Sequence, residues 1–164
     1  MSLSIPADEL LRWNDLSATH WHGFALANPG ILTLPCDIHS SHTVAQLLQH
    51  IVAVELRYAQ RLAGEPESDY NDIPFHSAEA IFATHDRTLS LLQPLLADAA
   101  FNWSTEIEFQ TITAGRIRAS RRTILIHLLM HSIRHYAQLA TLVRTHGFNP
   151  DWPMDFLFVA AHPA

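Results

Sequence analysis

The sequence predicts an all-α protein, an up-down four-helix bundle with a small β-hairpin between its third and fourth helices. Three observations carry that expectation. Four separate stretches place apolar residues at helical spacing, each long enough, at about 18–27 residues, to span a bundle. One stretch, from Trp103 to Phe109, alternates apolar and polar residues as a strand does. Chain breakers such as Asn28-Pro29-Gly30, Gly64 and Gly147 fall between the periodic stretches rather than inside them. The 164 residues fit one domain, 1–164, and a 48% hydrophobic content supplies a core.

The first helix is expected to start near Pro6, with Leu10, Trp13, Leu16, His20 and Phe24 on its apolar face. A loop through Pro35, Cys36 and Asp37 follows. The second helix runs from Ser41 or Thr43 to Leu62 with a stripe of Leu47, Ile51, Val54, Tyr58 and Leu62, and Gly64 ends it. Residues 65–76 are polar, contain two prolines and read as a loop. The third helix starts at Ser77 and carries Ile81, Phe82, His85, Leu89 and Leu92, with Pro94 expected to kink or shorten it. After the first strand, Thr113-Ala114-Gly115 reads as a turn and Arg116-Ile117-Arg118 as a return strand. The last long helix spans Ala119 to Thr145, and NPDWPMDFLFVAA beyond it reads as a loop with one or two helical turns. None of the four apolar stripes can be covered locally, so all must face a common centre.

A formal charge of −6 and a pI near 6.0 argue against a nucleic-acid binder, which needs a basic face. The opening MSLSIPADELLRWND lacks the cationic and apolar regions of a secretory signal. No apolar run approaches the roughly 20 residues of a membrane span. Cys36 stands alone, which excludes an internal disulfide and gives no cysteine-based zinc site. A cytoplasmic protein without a membrane partner is the expectation.

Histidine is unusually frequent, 12 residues against 10 lysines and arginines together. The informative run is Ile126-His-Leu-Leu-Met-His-Ser-Ile-Arg-His-Tyr-Ala-Gln138. His131 and His135 lie one helical turn apart and project from the same side, with apolar Leu128, Leu129, Ile133 and Leu139 as flanks. Buried without partners, such groups cost on the order of 1–3 kcal/mol each. One divalent ion offers compensation, because neutral imidazole is a good donor to zinc, nickel or iron. His50, between Leu47 and Val54 on the second helix, is the best third ligand, and three histidines leave coordination positions open. His20 and His85 also read as core-facing and compete for that role. His127 lies about 80° from His135 around the helix, so it reads as a neighbour of the site or an interface residue. The remaining histidines, including His39, fall in loops, helix ends or exposed positions. The bland reading competes throughout: HxxxH is common on helices, and core histidines are often satisfied by carboxylates and carbonyls.

From about Ser41 to Leu157 the chain resembles the DinB-like (DinB/YfiT) family. The residues that carry the resemblance are VAQLLQHIVAVELRYAQRLAG and then RRTILIHLLMHSIRHYAQLATLVRTHGFNPDWPMDFL. Members typically have a histidine in helix two, an H-x3-H-x3-H run in helix four followed by glutamine or a similar residue, and a late Asp-aromatic pair. The resemblance implies a four-helix bundle, often dimeric, with metal ligands at His50, His131 and His135. It also implies diverse activities, including thiol-dependent S-transfer and a mycothiol-dependent isomerisation. Many relatives carry Arg-Gly or a similar pair after the last ligand, where this chain has Tyr136-Ala137, a departure that bears on packing beside the site.

Three functions follow as expectations. The first is an enzyme in which one divalent ion (zinc or nickel foremost, iron or manganese as alternatives) activates a low-molecular-weight thiol or water toward a small-molecule substrate. In that reading Gln138 hydrogen-bonds the ligand or substrate, and Arg116, Arg118, Arg121 and Arg122 attract its carboxylates. Those arginines read more readily as a solvated patch paired with Glu106 and Glu108, while Glu55 and Arg57 read as surface charges facing away from the sector of His50. The second is an ion that only ties two helices together. The third is a dimeric interaction protein whose histidines are hydrogen-bonded and hold no ion.

Overall fold

The computed structural model describes residues 6–111 and 114–161. Its elements are α1 (Ala7–Ala27), α2 (Val44–Ala63), α3 (Ala78–Ala97), β1 (Glu106–Thr111), β2 (Gly115–Ser120), α4 (Arg121–Thr145) and a short α5 (Leu157–Ala160). Four long helices and one antiparallel two-stranded hairpin therefore make up most of the described chain. The expected turn at Thr113 lies outside the described residues, as does His162.

Local chemistry sets the helix ends. Thr43 forms a capping box with Gln46: its Oγ1 accepts from the Gln46 amide at 3.3 Å, and Gln46 Oε1 accepts from the Thr43 amide at 3.2 Å. Gly64 closes α2 at φ 73°, a left-handed conformation that side chains disfavour. Ser77 caps α3 and Ser120 caps α4, each through its hydroxyl to the amide three residues on. Pro94 sits near the end of α3 without terminating it. α4 begins two residues later than its periodicity suggests, because Ala119 and Ser120 pair with Ile107 and Glu106 in the hairpin.

The helices touch in a ring: α2 packs on α3 and α4, and α1 packs on the same two from the far side. Successive helices α1 and α2 are not principal neighbours, and the segment 28–43 carries the chain across between them. α2 is consequently buried nearly all round, with Leu47, Leu48, Ile51, Val52 and Ala53 fully enclosed. No described helix is long and apolar enough to cross a membrane.

Glu55 corrects an expectation. It does face away from His50, but into the core rather than to solvent, at 0% exposure. It accepts from Asn14 Nδ2 at 2.9 Å and pairs with His85 Nδ1 at 2.7 Å, while His85 Nε2 lies 3.4 Å from Asp15 Oδ1. This cluster also rotates α1. Its buried face is Leu11, Asn14, Ala18, Trp21 and Ala25, one residue on from the expected stripe, while Leu16 is 38% exposed and His20 is exposed. A stripe chosen by hydrophobicity avoids Asn14, whereas the fold buries it because Glu55 provides a partner.

Burial alone would lower the His85 pKa. The Glu55 charge and hydrogen bonds to Asp15 and Glu55 reverse that and carry it to about 10. Burial likewise pushes the Glu55 carboxyl up, and the His85 charge with hydrogen bonds from His85, Ser132 and Asn14 holds it below its ordinary value. The buried Tyr136 hydroxyl faces the same charges. His85 stabilises the fold fully below its ordinary pKa of 6.5 and loses that contribution as pH rises toward about 10. Glu55 contributes above its ordinary 4.5 and loses its part as pH falls below that. Denaturation of the wild type should therefore show stability declining as pH rises from 6.5 toward about 10. His85→Ala should cost about 3–5 kcal/mol and flatten the alkaline limb, whereas a paired Glu55→Leu, His85→Leu variant should recover much of the loss. An unchanged alkaline limb in His85→Ala would refute the assignment.

Candidate metal centre

Three imidazoles meet where α2 faces α4. His50 comes from α2, and His131 and His135 from successive turns of α4. All three are buried, and one ligand nitrogen from each lies within 4.8 Å of the others. His50 Nε2 and His131 Nε2 are 3.1 Å apart. An ion with metal–nitrogen distances of about 2.0–2.1 Å holds its donors roughly 3–3.4 Å apart, so this pair is spaced as ligands are.

The electrostatics keep all three rings neutral, the form that donates to a metal. Burial is the largest cause in each case, and the neighbouring histidines and Arg134 add to it. His131 is lowered to about 2, His50 to about 3 and His135 to about 4. Two buried nitrogens, Nδ1 of His131 and Nδ1 of His135, have no hydrogen-bond partner. His135 Nε2 accepts from Arg134 at 3.2 Å, which leaves that nitrogen unprotonated with its lone pair directed at the guanidinium. As ordinary core residues these rings are poorly satisfied, and the donor set fits a divalent first-row ion.

Two of the three, His50 and His131, line an open pocket of about 440 Å³ whose walls also include Val54, Tyr58, Tyr70 and His127; His135 lies outside that lining. A larger cleft, about 650 Å³, opens between α1 and α3 beside Asp15, but it holds neither histidine nor cysteine. Donor chemistry, not volume, distinguishes the site.

A family model described as the DinB family matches residues 9–161. The chain belongs to the DinB family. No curated protein matches it.

Within this DinB fold the three histidines that the sequence singles out come together, and the rival third ligands do not join them. His85 is held by Glu55 and Asp15, and His20 lies against Trp152 with ring centroids 5.3 Å apart. His127 stands beside the cluster, its ring 5.8 Å from His131 and 5.1 Å from Tyr58. Tyr136, at the position where the chain departs from many relatives, stacks on Trp21 at 6.3 Å. Gln138 lies close enough to His135 to favour its protonated form slightly, yet it lines a neighbouring groove with Cys36 and His146 rather than the histidine pocket.

Two residues were misread or missed in the sequence. Arg57, read as a surface charge, lines the pocket. It stands seven residues from His50, about 20° short of two full turns, so it shares the histidine's face. His39 stacks on His50 with centroids 4.0 Å apart and lies 5.9 Å from His135. It arrives from a loop, at φ 51°, an unusual backbone for a residue with a side chain, so no helical spacing reveals it. The hairpin arginines belong to the solvated reading: Arg116 and Arg118 both pair with Glu108, and Arg121 lies over the Phe101 ring at 4.4 Å.

Since ligands on two helices bind only the folded chain, added zinc or nickel should raise the melting temperature. A free concentration 100-fold above the dissociation constant corresponds to about 2.7 kcal/mol. His131→Ala should lose the effect and His20→Ala keep it. An equal response from both variants would place the ion elsewhere.

Proposed function

We propose that this DinB protein is a metal-dependent enzyme that activates a small thiol, or water, toward a small-molecule electrophile, as an S-transferase or a hydrolase. One observation carries the reading: three neutral imidazoles converge, and two of them, His50 and His131, line an open pocket, with no fourth histidine, cysteine or carboxylate in the cluster among the described residues. His50, His131 and His135 are the ligands in this proposal. A bound divalent ion there lowers the pKa of a thiol or water at its free positions.

The chain's own groups do the rest. Burial keeps the three rings unprotonated, and the walls of the pocket limit access to it. His39 covers one face of His50 and His127 flanks His131, so both border the space a substrate enters. Gln138 is assigned to orienting His135 or a ligand from the groove behind it. The four long helices are read as a four-helix bundle acting as the rigid support. The proposal includes a cytoplasmic homodimer, on the resemblance and the lone cysteine.

A second reading has the same ion only fastening α2 to α4. The placement of ligands on those two helices favours it as well. Thiol consumption separates the two. Metal-loaded protein incubated with a halonitrobenzene and a panel of low-molecular-weight thiols should turn over, and His131→Ala should fall to background. Loss of metal content in His50→Ala by elemental analysis should accompany loss of activity. Retained metal with no thiol consumed above the His131→Ala background, and no hydrolysis of activated esters, would leave only the fastening role.

A further inference from the structure

We propose that the histidine pocket selects a small organic anion, a carboxylate or phosphate, which it grips through Arg57 and Arg134 while the rest of the molecule lies against Tyr58 and Tyr70. The inference rests on the enzyme reading only for the location of the reacting end. The anion contact itself depends on arginines that play no part in holding an ion.

The chain contains no lysine, so all ten of its basic residues are arginines, and three of them, Arg57, Arg61 and Arg134, line this one pocket. A protein of net charge −6 has no general reason to gather positive charge in one hollow. No aspartate or glutamate is among the described residues lining the pocket. The carboxylate nearest to hand is Glu67, outside the lining, which takes Arg57 NH2 at 3.1 Å and the Arg61 guanidinium. Two of the three guanidiniums thus share one carboxylate and the third, Arg134, has none among the described residues. The pocket retains positive charge that an anionic ligand can balance.

The three arginines differ in readiness. Arg61 is committed: it sits 4.0 Å above the Phe109 ring and 4.7 Å from the Tyr58 ring, and its side chain is 10% exposed. Its role is to hold Glu67, which in turn fixes Arg57. Arg57 spends one N–H on Ser68 O at 2.9 Å and one on Glu67, which leaves three of its five donors unspent. Arg134 is exposed and has no carboxylate within ion-pair reach among the described residues. Its one hydrogen bond goes to the neutral His135. That single contact leaves four of its five N–H donors unspent for an anion.

Placement supports the same ligand. His50, Val54, Arg57 and Arg61 form one stripe on α2, and His127, His131 and Arg134 form the facing stripe on α4. On α2, Arg57 stands two turns past His50, and on α4, Arg134 stands between His131 and His135, so both guanidiniums border the pocket beside the histidines. A volume of about 440 Å³ suits a small molecule, and planar guanidiniums match carboxylate and phosphate oxygens in pairs.

Calorimetric titration of the zinc-loaded protein at low ionic strength, with succinate, inorganic phosphate and the uncharged succinamide, tests this directly. Succinate or phosphate should bind, and succinamide should not. Whichever of the two anions binds more tightly identifies the group. Arg134→Ala and Arg57→Ala should each weaken the anion by about tenfold or more, as expected for a charge-assisted contact. Arg116→Ala, on the exposed hairpin, should leave it unchanged. Added salt should weaken the contact. His131→Ala, which loses the ion, should still bind the anion through the arginines, although less well. Anion affinity that survives in the Arg57→Ala, Arg134→Ala double variant but vanishes in His131→Ala would mean that the anion ligates the metal alone, and would overturn the proposal. So would a protein that retains its zinc and binds neither anion. A wild type that retains no zinc yet binds succinate through Arg57 would instead overturn the metal reading and keep this one.

Discussion

Burial of α2 on nearly all sides is the constraint on which the rest of the structure depends. A helix in that position normally carries only apolar side chains, because every polar group on it has to find its partner inside the protein. α2 carries two titratable residues in its buried part, and each is met by histidine from another helix. His50 meets His131 and His135 of α4, while Glu55, five residues on and pointing roughly the opposite way, meets His85 of α3 and Asn14 of α1. The two clusters are opposite in character. Around Glu55 the charges are retained and paired; around His50 they are suppressed and the lone pairs are left available.

That contrast divides the molecule's labour. The charged cluster specifies how α1, α2 and α3 pack, since a hydrogen-bonded buried pair tolerates little change in helix rotation. With three helices fixed in this way, the face of α2 that carries His50 is presented to α4 at one orientation. The neutral cluster can then remain under-satisfied without loosening the fold. An under-satisfied set of donors bordering an open pocket is what ligand chemistry requires, and it is tolerable only on a support that is held together elsewhere.

Much of this was legible in the sequence wherever a periodicity reported it. Helical spacing located all four long helices, and the one-turn separation of His131 and His135 placed them on one side of α4. His50 declared itself as a polar residue in the apolar stripe of α2. The misreadings share a cause, which is that hydrophobicity does not report partnership. Asn14 and Glu55 look like surface residues until they are paired with each other and with His85, and α1 turns by one position as a result. Arg57 was available from the same arithmetic that located the histidines, because seven residues return a helix to nearly the same face. His39 was not available at all. It reaches His50 from a loop, and a contact between distant segments leaves no trace in local spacing.

The hairpin shows how the pocket is assembled from unequal parts. Phe109 lies over Arg61, and Gln110 and Thr111 complete the rim, yet β1 and β2 contribute no fully enclosed residue to the interior. The helices carry the donors and the charge, whereas the two strands supply an edge. Lengthening or shortening those strands would therefore resize the entrance while leaving the histidines where the helices hold them, so the breadth of the opening can change without moving the donors.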